Sequence, residues 1–501
     1  MKSVKLLQIG EEDLSLIYDV HKSVKYSYTP KLDIQAKKPF DVVIVTKKLD
    51  AAEINLLTDA AKTYGLFYLE DTPQSERMKK LFARKKGSVL LKKDVAEFLS
   101  RDVRDYFTKS YGEKFNMTQI AVGESFLGSV KWTGNYRVEL EGFFGEEMRQ
   151  IAYWRNCIPV FKEQAIDLWL EYDKEGEVEI ALKITQFASG SVSQMQNEWY
   201  FTEDELAGEV TVSNEKEMGA VFISLFAKGE GKLYIRALHD RHSRRGKGEF
   251  IPGGERYVTK DREEIFAYFD PGDLKPPLNV YFSGYKTQQG FEGYNMLRNL
   301  KAPFLLIAEP RLEGGAFYMG SEEYEDMMRS IIKKYIDELG FKNKDVIFSG
   351  LSMGTYGALY YGCDILPHAL IIGKPLASIG NVAENEKLLR PGGFPTSIDV
   401  LGYCERGTSP SAVKRLNRRF WDKFERSDWR NTKFVVSYMI EDDYDMDAYE
   451  RILSSIKSEG TGIYGKGIHG RHNDNTAAIV AWFLEQYKDV LEKDFGRRNL
   501  R

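Results

Sequence analysis

The residues best suited to do chemistry are a serine and two glycines in Gly350-Leu351-Ser352-Met353-Gly354. An apolar run typical of a buried strand precedes them, and small residues that suit a tightly packed helix follow. In a nucleophile elbow the chain turns so sharply that the serine is strained and the residues two places away can carry almost no side chain. In this context G-x-S-x-G indicates a serine nucleophile; a Gly-rich structural turn is the alternative.

A serine hydroxyl is a weak nucleophile near neutral pH, so it needs a histidine to accept its proton and a carboxylate to orient that histidine. In hydrolase-like sheets these residues follow in the order Ser, acid, His. The apolar run 434–439 predicts a late strand, and an acidic loop follows it. Asp442 lies where the acid usually follows such a strand. Glu441 and Asp443 are close alternatives, and Asp445 is a more distant one because it could cap the next helix.

The histidine is expected in the loop 468–474, before the last predicted helix, which holds two of the six histidines of the chain. We favour His472, because it directly precedes the run Asn473-Asp474-Asn475, which can cap the helix, and a loop-to-helix junction fixes a ring well. His469 is the alternative. The sequence therefore predicts a Ser352, Asp442 and His472 triad for acyl transfer.

Acyl transfer also needs hydrogen-bond donors for the developing oxyanion. One donor is expected to be the backbone N–H of Met353, directly after the nucleophile. The second is expected from the loop that follows the first strand of this region, where Gly284 allows the backbone to approach closely, so the N–H of Tyr285 or Lys286 is the candidate. The loop 309–316 follows another strand and could line the pocket.

Other classes of site are not indicated. No G-x-G-x-x-G opens a helix, and neither a P-loop nor a metal-ligand spacing occurs, so we predict no metal site and no tightly bound cofactor; the acyl donor stays open. With 71 basic and 75 acidic residues, the net charge of −4 argues against general nucleic-acid binding. Without a signal peptide pattern or a long apolar segment, we expect a cytoplasmic protein with no transmembrane segment.

Three regions are predicted to position these residues. Residues 1–115 alternate strand-like and helix-like runs, such as strands at 4–9 and 41–45, which indicates a Rossmann-like α/β block without a nucleotide motif. Residues 116–272 alternate apolar and polar residues with period two, which indicates a jelly-roll-like antiparallel β-sandwich of short strands. Within it, Gly229-Glu230-Gly231 is predicted to form a hairpin turn.

Residues 273–501 are predicted to form an α/β-hydrolase-like domain. The pair Pro276-Pro277 marks its start, because two prolines can continue neither a sheet ladder nor a helix. Beyond it, near-continuous apolar strands alternate with helices, which indicates a parallel sheet that is covered on both faces.

Two segments are rich in basic residues, which must either face solvent or bind an acidic or anionic partner. The run 77–86 is typical of a solvated helix face; contact with an acidic partner or a membrane surface is the alternative. The loop 239–248 carries four cations and two glycines, so we expect either an anionic or glycan ligand there or plain surface charge.

Together, these parts resemble one family. An N-terminal α/β block, a β-sandwich and a hydrolase-like region with Gly350–Gly354, the acidic loop 438–445 and the loop His469–Asp474 are similar to the second protein of the accessory Sec system, with which Gram-positive bacteria export serine-rich-repeat adhesins. The resemblance covers essentially the whole chain. It is most specific in these C-terminal motifs and in the loop 244–254.

The resemblance implies a cytoplasmic protein at the inner face of the membrane, in a complex with the other accessory Sec proteins and the motor ATPase. It implies O-acetylation of N-acetylglucosamine on the serine-rich-repeat glycoprotein, with Ser352 as nucleophile, His472 as base and Asp442 as acid. The family's carboxylate can be Glu or Asp, so the neighbouring acids stay open. A non-catalytic structural export factor and a carbohydrate esterase are the alternatives.

Overall fold

The structure, a computed structural model, describes residues 3–33, 35–36, 38–115, 117–388, 393–456 and 461–498. Three β-sheets follow one another along the chain, and helices pack on the first and third. The chain is therefore a mixed α/β protein with several sheets. The division into domains at residues 115 and 272 stays a prediction. Two strands that precede residue 272 pair with the third sheet.

The first sheet has five parallel strands in the order β2-β1-β3-β4-β5. Its elements are β1 (Val4–Ile9), β2 (Val24–Thr29), β3 (Val42–Val45), α1 (Ala51–Ala60), β4 (Leu66–Leu69), α2 (Glu76–Arg84), β5 (Ser88–Leu90) and α3 (Val95–Ser100). The predicted strands at 4–9 and 41–45 are thus present. Strand β2 was not predicted, because it lies at the sheet edge and is only partly buried, so its hydrophobic signal is weak.

The second sheet has nine antiparallel strands. They are β6 (Gly112–Phe115), β7 (Ile120–Val122), β8 (Ser129–Thr133), β9 (Arg137–Trp154), β10 (Ile158–Val160), β11 (Gln164–Ala188), β12 (Met195–Thr202), β13 (Val210–Asn214) and β14 (Gly219–His242). The expectation of short strands is wrong for three of them, because β9, β11 and β14 are 18, 25 and 24 residues long. The predicted hairpin at Gly229-Glu230-Gly231 is wrong as well: both glycines lie inside β14 with φ of 91° and 148°, where the register shifts. Two such glycines allow a bulge instead of a reversal.

The basic loop 239–248 does not offer its arginines to a ligand. Its first four residues belong to β14, and the guanidinium group of Arg241 pairs with both carboxylate oxygens of Glu264 at 2.9 and 2.7 Å. Arg244 is 2% exposed and donates to the backbone oxygens of Asp105, Phe107 and Phe250. Buried charges need such partners. These cations therefore join parts of the chain, and neither an anionic ligand nor plain surface charge describes them.

The third sheet has eight strands in the order β15-β16-β18-β17-β19-β20-β21-β22. Strands β15 and β16 pair antiparallel, and β16 pairs antiparallel with β18; the other strands are parallel. The strands are β15 (Glu255–Val258), β16 (Glu264–Asp270), β17 (Leu278–Phe282), β18 (Phe304–Ala308), β19 (Val346–Leu351), β20 (Ala369–Gly373), β21 (Lys433–Met439) and β22 (Ile463–Ile468). The helices are α4 (Tyr294–Asn299), α5 (Glu322–Leu339), α6 (Met353–Ile365), α7 (Ile379–Leu388), α8 (Thr396–Glu405), α9 (Pro410–Arg426), α10 (Ala448–Ser455) and α11 (Thr476–Phe495).

Both faces of the third sheet are buried, as predicted. Alternate residues along one strand enter two different cores: Val280 and Phe282 pack in one and Tyr281 in the other. Strand β16 contributes to both cores in the same way, through Phe269 in the first and Phe266 in the second. Strands β15 and β16 therefore belong to the third sheet, although they precede residue 273. Among the described residues, no helix is both long and apolar enough to cross a bilayer.

Candidate active site

Three loops meet at one edge of the third sheet. Strands β19, β20, β21 and β22 are neighbours and run parallel, so their carboxyl ends lie along the same edge. Ser352 directly follows β19, Asp442 lies in the loop after β21, and His472 lies in the loop after β22. Ligand and catalytic residues of open α/β sheets gather at this edge. The topology thus explains how residues distant in sequence come together.

The turn at Ser352 is strained in the way the motif predicts. Ser352 has φ of 52° and ψ of −121°, directly before the first residue of α6. A Cβ atom on Gly350 would lie 2.4 Å from the carbonyl group of Gly354, and a Cβ atom on Gly354 would lie 2.1 Å from the backbone oxygen of Phe282. Both glycines are therefore required by backbone atoms, which cannot move aside as a side chain could. This geometry fits the nucleophile elbow.

Gly354→Ala is expected to destabilise the protein by about 2 to 3 kcal/mol, because the new methyl group would overlap the Phe282 carbonyl and push α6 from the sheet. Thermal unfolding would measure the loss. Gly362→Ala is the matched control in the same helix: its nearest atoms are the flexible tips of Leu370 at 3.2 and 3.6 Å, so it should have a much smaller effect. Equal melting temperatures for both variants would contradict the packing described here.

The predicted side chains form a chain of hydrogen bonds. Ser352 Oγ lies 2.8 Å from His472 Nε2, and His472 Nδ1 lies 2.8 Å from Asp442 Oδ2. The other oxygen of Asp442 accepts the backbone N–H groups of Tyr444 and Asp445 at 2.8 and 3.3 Å. An ionised carboxylate can only accept, so with Asp442 ionised this geometry suits the tautomer in which Nδ1 donates to Asp442 and Nε2 accepts from the serine hydroxyl. His472 is 1% exposed, so its ring is held in place on all sides.

The other predicted histidine lies elsewhere. The side chain of His469 is 83% exposed, and its Nδ1 lies 2.9 Å from Glu441 Oε1. The second oxygen of Glu441 accepts the N–H of Gly470 at 2.6 Å. Glu441 and His469 are therefore bonded to each other and stabilise the loop 468–474. The side chain of Ser352 is bonded to the buried imidazole of His472 instead.

The two remaining acids have supporting contacts. Asp443 accepts the backbone N–H of His472 at 3.1 Å, which helps to hold the histidine loop. Asp445 accepts the N–H groups of Ala377 and Ser378, both at 2.7 Å, and burial raises its pKa to about 6. Of the four acids considered from the sequence, Asp442 is the one whose carboxylate is hydrogen-bonded to the imidazole of His472. Its catalytic role stays a prediction.

The backbone N–H groups of Met353 and Tyr285 are available as oxyanion donors, whereas that of Lys286 is not. The N–H of Lys286 donates to the backbone oxygen of Gly314 at 3.2 Å, so it is occupied. In the described part of the chain, the N–H groups of Tyr285 and Met353 have no acceptor. They are the donors that fit an oxyanion hole, a role that remains a prediction.

The loop 309–316 lies against the same place. A Cβ atom on Gly315 would be 2.5 Å from Met353 Cε, so this loop packs directly on the residue after the nucleophile. The carboxylate of Glu309 accepts the N–H groups of Ala316 and Tyr318, and Arg311 Nε donates to it at 2.8 Å. These buried bonds make the loop a fixed part of the site.

An aromatic wall beside the triad was not predicted; we define it as Tyr285, Phe394 and Tyr444. The ring of Tyr444 stacks on the imidazole of His472, with centroids 4.4 Å apart and planes 12° apart. Phe394 stacks on Tyr444 at 5.0 Å and contacts Tyr285 edge-on at 5.2 Å. Burial and nearby Glu313 raise the pKa of Tyr285 to about 12, so its hydroxyl stays protonated. Tyr444 lies in the acid loop and Tyr285 was noticed only for its backbone N–H, so the sequence did not indicate that their rings share a wall with Phe394.

Tyr444→Leu is expected to lower kcat/KM about fivefold, because an aromatic stack on the imidazole contributes about 1 kcal/mol and its loss lets the ring tilt. Tyr444→Phe keeps the stacked ring and should stay within about twofold of the native protein. Ester hydrolysis across a pH series would measure both variants. Equal losses for Leu and Phe would assign the effect to the hydroxyl group and contradict the stacking role.

One buried group also contains residues that could bind a metal. Glu171, His239 and Glu264 offer ligand atoms within 4.8 Å of one another, a proximity that their sequence spacing does not reveal. His239 Nε2 lies 2.7 Å from Glu171 Oε1. Burial raises the pKa of Glu264, but the guanidinium groups of Arg241 and Arg256 outweigh burial and hold it below its usual value. Two cations beside the same carboxylate oppose a further cation.

Known proteins are similar to this chain over nearly its whole length. The family model described as the accessory Sec system GspB-transporter matches residues 4–497. The chain is 35% identical over 515 residues to an accessory Sec system protein of Staphylococcus aureus (strain NCTC 8325 / PS 47), covering 99% of this chain and 98% of the relative. It is also 35% identical over 506 residues to a protein from Streptococcus gordonii that carries the same name as the Staphylococcus aureus relative, covering 99% of both chains.

A solved structure agrees. A chain of the Glycosylation Associate Protein (Gap123) complex from Streptococcus agalactiae superposes with a TM-score of 0.88 at 34% identity, covering 99% of this chain and 100% of that one. The resemblance drawn from the sequence motifs is thus confirmed. On the family match and the identity over its full length, this chain belongs to the GspB-transporter family of the accessory Sec system, the family of its second accessory protein.

Proposed function

We propose that this protein is a serine-dependent O-acetyltransferase of an accessory Sec system, which acetylates N-acetylglucosamine on a serine-rich-repeat adhesin. The observation that carries the proposal is the hydrogen-bond chain from Ser352 through His472 to Asp442 on a strained turn. The strand order of the third sheet, with β16 antiparallel, supports an α/β-hydrolase-like domain. Family membership supports the place in export.

In the first half of the reaction, Ser352 Oγ attacks the acetyl carbonyl carbon while His472 Nε2 takes the hydroxyl proton. The carbonyl oxygen becomes an oxyanion, and the N–H groups of Met353 and Tyr285 donate to it. The bond to the donor's leaving group then breaks, and His472 returns the proton to that group. An acetyl ester on Ser352 remains. The donor is an activated acetyl compound whose identity is open.

In the second half, a sugar hydroxyl of the acceptor replaces the leaving group. His472 takes the hydroxyl proton, the sugar oxygen attacks the acetyl carbon, and the bond to Ser352 Oγ breaks. The proton returns to the serine, and the product is an O-acetylated sugar. A carbohydrate esterase would complete the same cycle with water, so the two functions differ in which nucleophile reaches the acetyl-serine.

Exclusion of water favours transfer. His472 is 1% and Asp442 8% exposed, and the aromatic wall lies beside the imidazole. A dry surround lets a bound sugar hydroxyl compete with water for the acyl group. The fixed loop 309–316 packs on Met353, the residue directly after the nucleophile.

Partners follow by analogy with relatives. The similar chain from Streptococcus agalactiae is part of a complex, which supports assembly of this protein with other accessory Sec proteins. We further propose that this assembly works in the cytoplasm beside the motor ATPase and receives the glycosylated adhesin there. A purely structural export role is the competing function, and it would need no nucleophile.

A direct test uses p-nitrophenyl acetate as donor and a serine peptide bearing N-acetylglucosamine as acceptor. The proposal predicts an acetylated enzyme by mass spectrometry and transfer of the acetyl group to the sugar. Free acetate without acetylated glycopeptide would identify an esterase. An unmodified enzyme with no product from either route would favour a structural export factor.

A further inference from the structure

A large cleft lies between the second sheet and helix α8. Its volume is about 750 Å³, within the range of small-molecule sites. Arg137 at the start of β9 and Tyr234 in β14 line one side, and Asp399 and Tyr403 of α8 line the other. We call this space the α8 cleft. The triad does not line it, so the proposed reaction does not account for it.

The α8 cleft contains a buried carboxylate with a free oxygen. Asp399 is 3% exposed; its Oδ1 accepts the N–H of Asn135 at 3.2 Å, and its Oδ2 has no hydrogen-bond partner among the described residues. A Cβ atom on Gly134 would lie 2.2 Å from Oδ1, so glycine is needed for this approach. Leaving a buried polar oxygen without a partner is costly, which indicates a ligand donor at this position.

The opposite side offers an unused donor. The guanidinium group of Arg137 lies over the ring of Tyr234, 5.4 Å from its centroid, and its buried Nε–H has no acceptor in the described residues. The hydroxyl of Tyr234 donates to Glu175 at 3.0 Å, which fixes the ring. Two residues that line the α8 cleft thus each carry a buried polar group without a partner among the described residues, a donor on Arg137 and an acceptor on Asp399.

The charges of the α8 cleft define the class of ligand. Four arginines and five carboxylates line it, together with three tyrosines. The near balance of charge gives no preference for a strongly anionic or cationic ligand. Several polar groups of both kinds next to aromatic rings suit an uncharged molecule with many hydroxyl groups, whose oxygens both donate and accept.

The α8 cleft and the candidate active site are close to each other. Helix α8 begins at Thr396, directly after the segment that carries Phe394 of the aromatic wall. Burial and the nearby Glu313 raise the pKa of Asp399 to about 6, and Glu313 also acts on Tyr285 of the aromatic wall. One carboxylate therefore lies near both places.

We propose that the α8 cleft binds an uncharged saccharide and holds the sugars that flank the one to be acetylated. This assignment rests on the proposed function for its role, while binding itself does not depend on catalysis. It gives the second sheet a task in selecting glycosylated acceptors over free sugars. A free monosaccharide would fill the reacting position alone and gain nothing from Arg137 or Tyr234.

The test uses the full chain carrying Ser352→Ala, so that no turnover occurs, and an oligosaccharide of N-acetylglucosamine as the probe in isothermal titration calorimetry. Arg137→Gln and Tyr234→Ala are each expected to weaken binding about tenfold. Tyr200→Ala is the matched control: this tyrosine is 46% exposed on β12 of the same sheet and does not line the cleft. Melting temperatures would verify that each variant is folded.

A second measurement separates this proposal from the proposed function. In the otherwise native protein, Arg137→Gln should raise KM for an oligosaccharide acceptor about tenfold and leave acetyl transfer to the monosaccharide unchanged. No binding of the oligosaccharide, or equal binding by the cleft variants and Tyr200→Ala, would overturn the assignment. Normal binding without acetyl transfer would instead contradict the proposed function and keep the saccharide site.

Discussion

Ser352→Ala is expected to lower acetyl transfer by about 10⁴-fold or more, because the hydroxyl that takes the acetyl group in the proposed reaction is removed. The lost hydroxyl is bonded to His472 Nε2 and the backbone conformation with φ of 52° is unchanged by the removal of one oxygen. Stability should therefore change little. Acetylated enzyme by mass spectrometry and the acetyl content of the exported adhesin would measure the effect.

The control for this variant is Ser454→Ala, which removes an exposed hydroxyl on α10 that, within the described residues, donates to the Arg451 backbone oxygen of its own helix. It should retain full activity. Adhesin exported by a Ser352→Ala strain with unchanged acetylation and normal protein levels would contradict the transferase proposal. Normal export without acetylation would show that the two roles of the protein are separable.

The two histidines of one loop should differ sharply. His472→Ala is expected to lower the rate by about 10⁴-fold, because Ser352 loses the base that takes its proton and Asp442 is left facing a cavity. His469→Ala should stay within about twofold, because its side chain is 83% exposed and its ring bonds to Glu441, away from Ser352. Initial rates of ester hydrolysis would compare them.

The two histidine variants also control for loss of the fold. His469→Ala removes the same number of atoms from the same loop, so a loop that simply fails to fold would affect both variants. Melting temperatures would identify a His472→Ala protein that has lost its fold. Equal activity of the two histidine variants would remove the imidazole of His472 from the mechanism.

Much of the site was predictable because its signals are local. The elbow needs two glycines around a serine, and each parallel strand ends in the loop that carries the next functional residue. Ser352, Asp442 and His472 were therefore found from motif and order, and the structure brings their side chains into contact. The aromatic wall was not predictable, since Phe394 reaches Tyr444 only through the packing of distant loops.

The second sheet shows where period-two patterns stop being informative. Alternation predicts a strand but not its length, so β11 and β14 appeared as several short pieces. Glycines with positive φ permit either a reversal or a bulge, and only the partner strand decides between them. Likewise, the four cations within residues 239–248 were expected to face an anionic or glycan ligand or solvent, because the acids and backbone oxygens that bind Arg241 and Arg244 are not apparent from the sequence of the loop itself.

Strands β15 and β16 have a consequence for genetics. Strand β16 contributes to the hydrophobic cores on both faces of the third sheet. A fragment that starts at residue 273 would therefore carry Ser352, Asp442 and His472 yet lack part of both cores. Deletions that remove residues 255–270 would then be expected to disrupt the proposed chemistry and the proposed role in export together. Only point changes at the nucleophile can tell whether the bacterium needs the acetyl mark or the protein's presence.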